Sequence, residues 1–247
     1  MTNKHQLLLI LKAKKSNVEI HKHSAFQIVF TEDYPFHSTL ENKKHLNIYG
    51  FVIKPQVAHS CECSQSNLII FNVEPYSFLG KLIATKLGNS TAAIFSDVEK
   101  FQQFFDSSKD EFSIQSLIKA TNQNREIQHI DERLQQSISF INNHFKLETI
   151  STQAIANHVF LSPSRLAALF KQQIGSSISK YILWTRLKNA IFLILSERDK
   201  ALTTIALESG FYDSSQMNKY MYQLFGISPS KLKQKSDLIQ FLDVEPN

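Results

Sequence analysis

Hydrophobic residues in the first third of the chain form short runs that turns and prolines separate. The runs at 26–30, 47–53 and 68–73 are rich in Ile, Val, Phe and Tyr. β-branched and aromatic residues favour strands, and turn residues between such runs favour antiparallel pairing. The pattern predicts a small antiparallel sandwich or barrel.

The spacing of apolar residues changes after the last of these runs. Apolar residues then recur every three or four positions, which predicts helices in the stretches 78–83, 101–105 and 112–124. These stripes fit a core of the domain itself and a dimer face equally well. The polar stretch 122–129 predicts a linker, and we therefore place a first domain at 1–125.

The rest of the chain predicts helices throughout. Apolar residues from Ile130 to Phe145 keep helical spacing, and a short helix is expected from Thr152 to Val159. Ser162 and Pro163 then mark a helix start, because serine caps a helix N-terminus and proline suits its first position. Gly175 marks the end of that helix.

The second half of this helical region repeats the first. Ala156 recurs as Ala206, and Gly175 recurs as Gly226. Each copy reads as a short helix, a tight turn, a second amphipathic helix and a glycine stop, which is the pattern of a helix-turn-helix unit. The spacer 177–198 predicts a helix of about 30 Å, and successive major-groove faces of DNA lie about 34 Å apart. Such a spacer can hold two recognition helices in consecutive grooves.

Positive charge is concentrated in the same region. Residues 130–236, which we place as a second domain, carry 13 Lys and Arg against 7 Asp and Glu. Residues 1–129 carry 14 against 12, and the segment 237–247, which we place as an acidic tail, carries three acids. A nucleic-acid partner favours this distribution, because phosphate neutralisation supplies most non-specific affinity. A solvated basic surface would give the same distribution.

Two features bear on location. The apolar patch 7–11 is too short for the hydrophobic core of a signal peptide, and no apolar run is long enough to span a bilayer. Cys61 and Cys63 are one residue apart, which suits reduced thiols better than a disulfide. We expect a cytoplasmic, nucleoid-associated protein with no membrane partner.

Three segments of the second domain resemble the AraC/XylS family of transcription regulators. The family's first helix-turn-helix unit is similar to ISTQAIANHVFLSPSRLAALFKQQIG, its connecting helix to KYILWTRLKNAIFLIL and its second unit to IALESGFYDSSQMNKYMYQLFGISP. Four positions depart from the pattern. Phe160 replaces a turn glycine, Met217 and Met221 replace phenylalanines, and Lys219 replaces an arginine.

The resemblance implies an α+β protein with a small cupin-like β-barrel and helices in the N-terminal domain, followed by an all-α double helix-turn-helix domain. It implies a regulator, not an enzyme, that usually activates transcription. The implied partners are double-stranded DNA, RNA polymerase, a second copy of the chain in a homodimer and a small-molecule effector. The residues expected to contact DNA are Ser162, Ser164, Arg165, Ala167, Ala168, Lys171, Ser214, Ser215, Gln216, Asn218 and Lys219.

The two units are expected to read DNA unequally. Ala167 and Ala168 are small, so the first unit offers a base edge little more than a methyl contact. Gln216 and Asn218 carry amides, which can pair with the N6 and N7 atoms of adenine. We therefore expect the second unit to supply most of the sequence discrimination.

Histidines in the N-terminal domain mark a candidate effector site. His21, His23, Gln27 and the stretch 55–59 are similar to two short cupin motifs, although Gln27 stands in the place of a glutamate. The predicted effector pocket comprises His21, His23, Gln27 and His59. A metal is the alternative, because His59, Cys61 and Cys63 alternate and would face one way on a strand. With His21 and His23 they would offer nitrogen and sulfur ligands to zinc or copper.

Other functions stay open beside a ligand-controlled regulator. The N-terminal domain can answer to a partner protein or to the abundance of the regulator itself. It can also be a metal sensor, or a loop and pocket that holds no metal. A cupin enzyme with a DNA-binding appendage would need intact ligand motifs, and Gln27 argues against it.

Overall fold

The computed structural model describes residues 8–15, 17–105, 130–147, 150–237 and 239–241. Its contacts divide the chain into unit 1, residues 1–125 with 237–247, and unit 2, residues 126–236. Unit 1 holds antiparallel sheets with helices and unit 2 is helical, which is the α+β class that the sequence predicts. The predicted helix at 112–124 and the predicted linker at 122–129 lie outside the described residues.

The described strands of unit 1 form two antiparallel sheets. Their bounds are β1 Leu8–Lys14, β2 Asn17–His21, β3 Phe26–Phe30, β4 Phe36–Leu40, β5 Lys43–Ile48, β6 Gly50–Ile53, β7 His59–Glu62, β8 Asn67–Val73, β9 Ala92–Phe95 and β10 Ile239–Phe241. One sheet has the order β10-β1-β8-β3-β6-β9, and the other has the order β2-β7-β4-β5. The runs predicted at 26–30 and 68–73 are the two central strands β3 and β8.

Two strands differ from the sequence-based prediction. β9 lies in a stretch for which the apolar spacing predicted helices alone, and it pairs with β6 at one sheet edge. β10 lies in the segment predicted as an acidic tail, and it pairs with Leu11–Ala13 of β1 at the opposite edge. The chain thus returns to unit 1 after it has completed unit 2.

The six-stranded sheet buries both of its faces. On one face, Phe30 and neighbouring residues pack against the helices α1 (Phe78–Leu87) and α2 (Val98–Phe105), and the Phe30 and Phe101 rings stack at 4.6 Å. The other face meets the four-stranded sheet, where Phe51 contacts the rings of Phe36 and His59. Alternate side chains along β3 and β6 therefore belong to two separate apolar layers.

Unit 2 is helical, and a Ser or Asp side chain caps the N-terminus of each of its described helices except the one that begins at Leu202, where Ala201 precedes the helix. Their bounds are α3 Glu132–His144, α4 Thr152–His158, α5 Pro163–Ile174, α6 Ile178–Ser196, α7 Leu202–Glu208, α8 Ser214–Phe225 and α9 Pro229–Gln234. No described helix is both long and apolar enough to cross a membrane.

Helix α6 is the spacer predicted at 177–198, and it forms the centre of unit 2. Tyr181 and Trp184 are fully buried on it. The Tyr181 ring contacts Phe170 of α5 at 5.7 Å, and the Trp184 ring stacks on Phe225 of α8 at 5.1 Å. One rigid helix thus packs against both recognition helices.

Candidate functional site

The first helix-turn-helix unit consists of α4 and α5. Ser162 caps α5, since its hydroxyl accepts a hydrogen bond from the backbone N–H of Arg165 at 3.3 Å. Pro163 occupies the first turn, and Gly175 ends the helix in the left-handed region at a φ of 76°. The helix has the bounds that these local residues predicted.

The second unit consists of α7 and α8, and its recognition helix begins with two reciprocal hydrogen bonds. The Asp213 carboxylate accepts from the backbone N–H of Gln216 at 2.6 Å. The Gln216 Oε1 atom accepts from the backbone N–H of Tyr212 at 3.0 Å. This arrangement is a variant of the capping box, in which the side chain at the third helical position accepts from the residue before the N-cap. The bond to Asp213 satisfies one of the N–H groups that the helix leaves without partners.

The residues predicted to contact DNA lie on the faces of α5 and α8 opposite the core. The core-facing residues Leu166, Phe170, Met217 and Met221 are completely buried. Of the eleven predicted contacts, Ser214 and Gln216 are half-buried and the other nine are exposed. The arrangement leaves both recognition faces accessible, and the DNA contacts themselves stay a prediction.

Gln216 has a second role beyond the predicted base contact, and the spacing of Asp213 and Gln216 is a sequence signature of that role. Its amide oxygen holds the capping box, and its side chain lines a groove of about 400 Å³ together with Ser151, Lys180 and Tyr220. To pair with adenine, the Gln216 amide must release or share the Tyr212 N–H. Asn218 is exposed on the same helix, and so its amide is the more available of the two.

Two exposed aromatic residues stand at the entrances of the recognition helices, and sequence reasoning did not assign them to the interface. Phe160 is 95% exposed in the first turn, and Tyr212 is 71% exposed in the second. Phe160 adopts a φ of 54°, the left-handed region where the family pattern has glycine. The internal repeat contained a sign of Tyr212. The second unit has one more residue than the first between its two helices, and Tyr212 lies in that longer turn.

Arg186 holds the end of α3 against α6. Its Nε atom donates to the backbone oxygen of Phe145 and its Nη2 atom to that of Leu147, both at 2.8 Å. Gly210 of the second turn lies at the same junction, because a Cβ there would be 2.5 Å from the Phe145 oxygen and 3.0 Å from Arg186 Nε. The turn of the second unit is therefore fixed to the helix that precedes the first.

The N-terminal histidines form a buried cluster in unit 1. His21 and His59 are register partners on β2 and β7, and their ring centroids lie 4.0 Å apart. The His23 ring is 5.1 Å from His59 and 5.8 Å from His21. One ring nitrogen from each lies within 4.8 Å of the others, so these three positions form the potential ligand set.

Burial keeps these three imidazoles neutral. Desolvation lowers the pKa of His21 to about 4 and that of His23 to about 3, and it also holds the pKa of His59 well below its ordinary value. A neutral imidazole has a lone pair on one ring nitrogen, so each of the three is able to act as a ligand or a hydrogen-bond acceptor near pH 7.

The cysteines do not join this cluster, which corrects the five-residue ligand set expected from the sequence. Cys61 and Cys63 are buried free thiols. Burial raises the pKa of the Cys61 thiol, so it stays protonated, and the Cys63 thiol donates to the Ser66 backbone oxygen at 3.0 Å. Cys61 alternates with His59 along β7, which ends at Glu62, before Cys63. Each step of two residues along a strand displaces a side chain by about 6.6 Å.

Gln27, the remaining residue of the predicted effector pocket, lies on β3 in the other sheet. Its Nε2 atom donates to Asn72 Oδ1 at 3.0 Å. The Gln27 Oε1 and Asn72 Nδ2 atoms are buried without a hydrogen-bond partner among the described residues. Unsatisfied buried polar atoms cost about 1–3 kcal/mol each, so this amide pair is a place for a water molecule or a polar ligand group.

Comparisons with known proteins match these two units differently. A family model described as a helix-turn-helix domain matches residues 155–235. The arabinose operon regulatory protein of Escherichia coli is 31% identical over 104 residues, which are 42% of this chain and 35% of that protein. The chain therefore matches about a third of the length of that relative.

Two further similarities extend over both units. The probable transcriptional regulator LumQ of Photobacterium leiognathi is 26% identical over 196 residues, which are 74% of this chain and 77% of that protein. A crystal structure of apo ToxT from Vibrio cholerae has a TM-score of 0.59 at 13% identity and covers 94% of this chain and 98% of that chain. The structural similarity establishes the fold alone.

Proposed function

We propose that this chain, whose C-terminal unit is an AraC-type helix-turn-helix domain, is a sequence-specific transcription regulator that binds double-stranded DNA through two helix-turn-helix units. The observation that carries the proposal is the pair of recognition helices α5 and α8 packed on the single helix α6. The 19 residues of α6 span about 28 Å, close to the distance of about 34 Å between successive major-groove faces.

The exposed residues support a division of labour between the two units. Arg165 and Lys171 of α5 are exposed cations, Lys171 for the phosphate backbone and Arg165 for either a base or a phosphate, and the exposed Ala167 and Ala168 offer bases little more than a methyl contact. Asn218 of α8 offers an exposed amide. The first unit thus acts mainly as a clamp on the backbone, and the second selects the sequence.

Regulation through unit 1 is part of the proposal. We expect a homodimer that contacts RNA polymerase, activates transcription in the cytoplasm and answers to a small-molecule effector. A unit 1 that answers to a partner protein or to the regulator's own abundance is the alternative. A cupin enzyme is the least favoured function, because Gln27 stands in the glutamate position of the cupin motif and is bonded to Asn72.

Selection of bound DNA from a random pool, followed by affinity measurements at several salt concentrations, tests the proposal. We expect a two-part motif whose halves lie one helical turn apart, about 10–10.5 base pairs. Affinity should fall steeply with salt, and the selected site should be preferred over scrambled DNA at every salt concentration. Equal affinity for selected and scrambled DNA would overturn the function, whatever the salt dependence.

Substitutions on α8 test which side chains read the sequence. Asn218→Ala is expected to weaken binding to the selected site by about 5- to 150-fold, the range for one amide–base pair, with a smaller loss on scrambled DNA. Gln216→Ala should show the same preference plus a loss of stability from the capping box. The control is Gln223→Ala, because Gln223 is an exposed amide two turns further along α8. Equal losses on both DNAs would contradict the assignment of base reading to this helix.

A further inference from the structure

The three histidines of unit 1 are held in place by backbone contacts on every side. His21 Nδ1 contacts the Glu19 backbone oxygen at 2.8 Å, and His59 Nδ1 contacts the Val57 oxygen at 2.9 Å. The His23 backbone oxygen accepts from Gln56, both from its backbone N–H at 2.8 Å and from its Nε2 at 3.0 Å. The loop that precedes β7 thus fixes His23 relative to His59.

These contacts also determine the tautomers of two rings. A backbone oxygen only accepts hydrogen bonds, so the Nδ1 atoms of His21 and His59 carry the protons. Each neutral ring therefore has its lone pair on Nε2. The His59 Nε2 atom is buried and has no hydrogen-bond partner among the residues that the structure describes.

One buried lone pair of this cluster has no hydrogen-bond donor among the described residues. A ring nitrogen of each histidine lies within 4.8 Å of those of the other two, and the buried His59 Nε2 lone pair is costly without a donor. Metal-binding histidines in proteins almost always donate their other ring N–H to a backbone oxygen or a carboxylate, as His21 and His59 do here. A cation among the three rings would accept the His59 Nε2 lone pair and lie close to a ring nitrogen of each of the other two.

We propose that unit 1 binds one late divalent transition-metal ion, with zinc as the best fit, through ring nitrogens of His21, His23 and His59. Imidazole nitrogens are ligands for zinc, copper, nickel and iron, whereas calcium and magnesium prefer oxygen. Three protein ligands leave a tetrahedral zinc ion one further position. That position is available to water or to an oxygen of a small ligand.

The spacing of the ring nitrogens is close to that of a zinc site. Zinc–nitrogen bonds of about 2.05 Å place tetrahedral ligand atoms about 3.4 Å apart. The three ring nitrogens lie within 4.8 Å of one another, so any two must approach by at most about 1.4 Å, and the pairing of β2 with β7 already makes His21 and His59 register partners. Neither Cys61 nor Cys63 belongs to the site.

Metal binding by the full chain tests the proposal without DNA, so its outcome is independent of the proposed function. The protein is purified, freed of any affinity tag, stripped with a chelator, and titrated with zinc and with cobalt. We expect one zinc ion per chain at micromolar free metal and a melting temperature that rises with zinc. Bound cobalt should show visible absorption of a tetrahedral site without a thiolate charge-transfer band.

Matched variants locate the site. His59→Gln and His21→Gln are each expected to lower zinc affinity by more than about 100-fold, since removal of a ligand should exceed the loss caused by removing its outer partner. Cys61→Ser tests the thiol next along β7. His45→Gln tests a half-exposed histidine on β5, which β4 separates from β7. Both controls should bind zinc like the unchanged chain.

Three results would overturn the proposal. The first is zinc uptake well below one ion per unchanged chain under these conditions. The second is a cobalt spectrum with a thiolate band, or loss of binding in Cys61→Ser. The third is an equal loss in His45→Gln and His59→Gln, which would indicate adventitious binding by surface histidines. The first two measurements use native side chains at the three histidines and therefore do not depend on whether the histidine variants fold.

Discussion

Gly210 is the residue of the second helix-turn-helix unit that tolerates a side chain least. Its φ is 83°, and an added Cβ would lie 2.5 Å from the Phe145 oxygen and 2.9 Å from Lys146 Cα. Backbone atoms cannot move aside as a flexible side chain can. We expect Gly210→Ala to destabilise unit 2 by about 3 kcal/mol, combining left-handed strain with steric overlap.

Gly88 provides the matched control for this substitution. It also has a positive φ, 53°, but a Cβ there would meet nothing within 4 Å. Its φ of 53° with a ψ of −122° lies outside the left-handed helical region, so Gly88→Ala should cost the backbone strain alone, about 1–3 kcal/mol. Urea unfolding of the two variants separates the contributions, and similar losses of stability in both would show that the close approach at Gly210 is unimportant.

Phe160 is the opposite case, a side chain in a turn that favours glycine. The ring is 95% exposed and buries little, while the backbone has a φ of 54°. We expect Phe160→Gly to raise the free energy of unfolding by up to about 1 kcal/mol, because relief of left-handed strain exceeds the extra entropy of glycine in the unfolded chain. Thermal unfolding measures the difference.

The variant Phe160→Ala distinguishes the effect of the exposed ring from the effect of the backbone conformation. It removes the ring but keeps a Cβ in the left-handed region, so it should not be stabilised. If the exposed ring contacts DNA, both variants will bind DNA more weakly to the same degree. A stabilised alanine variant would contradict the assignment of strain to the backbone of this turn.

At the scale of elements, sequence patterns predicted the helices and strands whose ends are determined by neighbouring residues in the chain. Helix α5 begins at Ser162-Pro163 and ends at Gly175, as the residues themselves indicated. Strands β9 and β10 were missed because their partners are distant in sequence: β9 pairs with β6, and β10 pairs with β1 across more than two hundred residues. A three-residue or four-residue strand has too little pattern of its own to be recognised.

The candidate sites likewise combine features that the local sequence predicts with features that arise only when distant segments pair. The alternation of His59, Cys61 and Cys63 predicts a shared strand face, but β7 ends at Glu62, before Cys63, and alternation does not give distances across strands. The register of β2 with β7, which brings His21 to His59, is a property of the folded sheet. The capping role of Gln216 was by contrast present in the local sequence, because an Asp followed three residues later by Gln is a signature of a helix N-terminus. Residue type alone did not show that the same side chain would serve both the cap and a DNA contact.

Helix α6 predicts a strict requirement for the spacing of the two DNA half-sites. It packs against α5 through Tyr181 and against α8 through Trp184, so neither recognition helix is free to turn independently. Inserting five base pairs between the half-sites rotates one by half a helical turn. We expect affinity to fall to that of a single half-site, whereas insertion of ten base pairs moves the second half-site out of reach without rotating it.

A gel shift with the parent site, both insertions and an isolated half-site measures this requirement. The two inserted sites should bind equally weakly, because a rigid spacer corrects neither rotation nor distance. Recovery of affinity with the ten-base-pair insertion would show that the two units are flexibly connected. That result would contradict the role assigned to the packing of Tyr181 and Trp184.

At the scale of the whole molecule, the chain crosses from unit 1 to unit 2 and then comes back. Residues 237–247 belong to unit 1, and β10 pairs with β1 at the edge of the six-stranded sheet. Without β10, β1 would become an edge strand with unpaired N–H and C=O groups, a template for association with another chain. The three-residue strand β10 therefore pairs with backbone groups of β1 that would otherwise form a longer unpaired edge.

A pair of truncations tests the contribution of β10. A chain that ends at Asp237 lacks the strand, and a chain that ends at Phe241 keeps it and serves as the control. Loss of a three-residue pairing should cost unit 1 about 1–3 kcal/mol, a fall of roughly 5–10 °C in its melting temperature. The shorter chain should also associate in a concentration-dependent way, while the unfolding of unit 2 stays unchanged because β10 pairs only within unit 1. If both truncated chains melt and associate alike, the stability of unit 1 does not depend on β10.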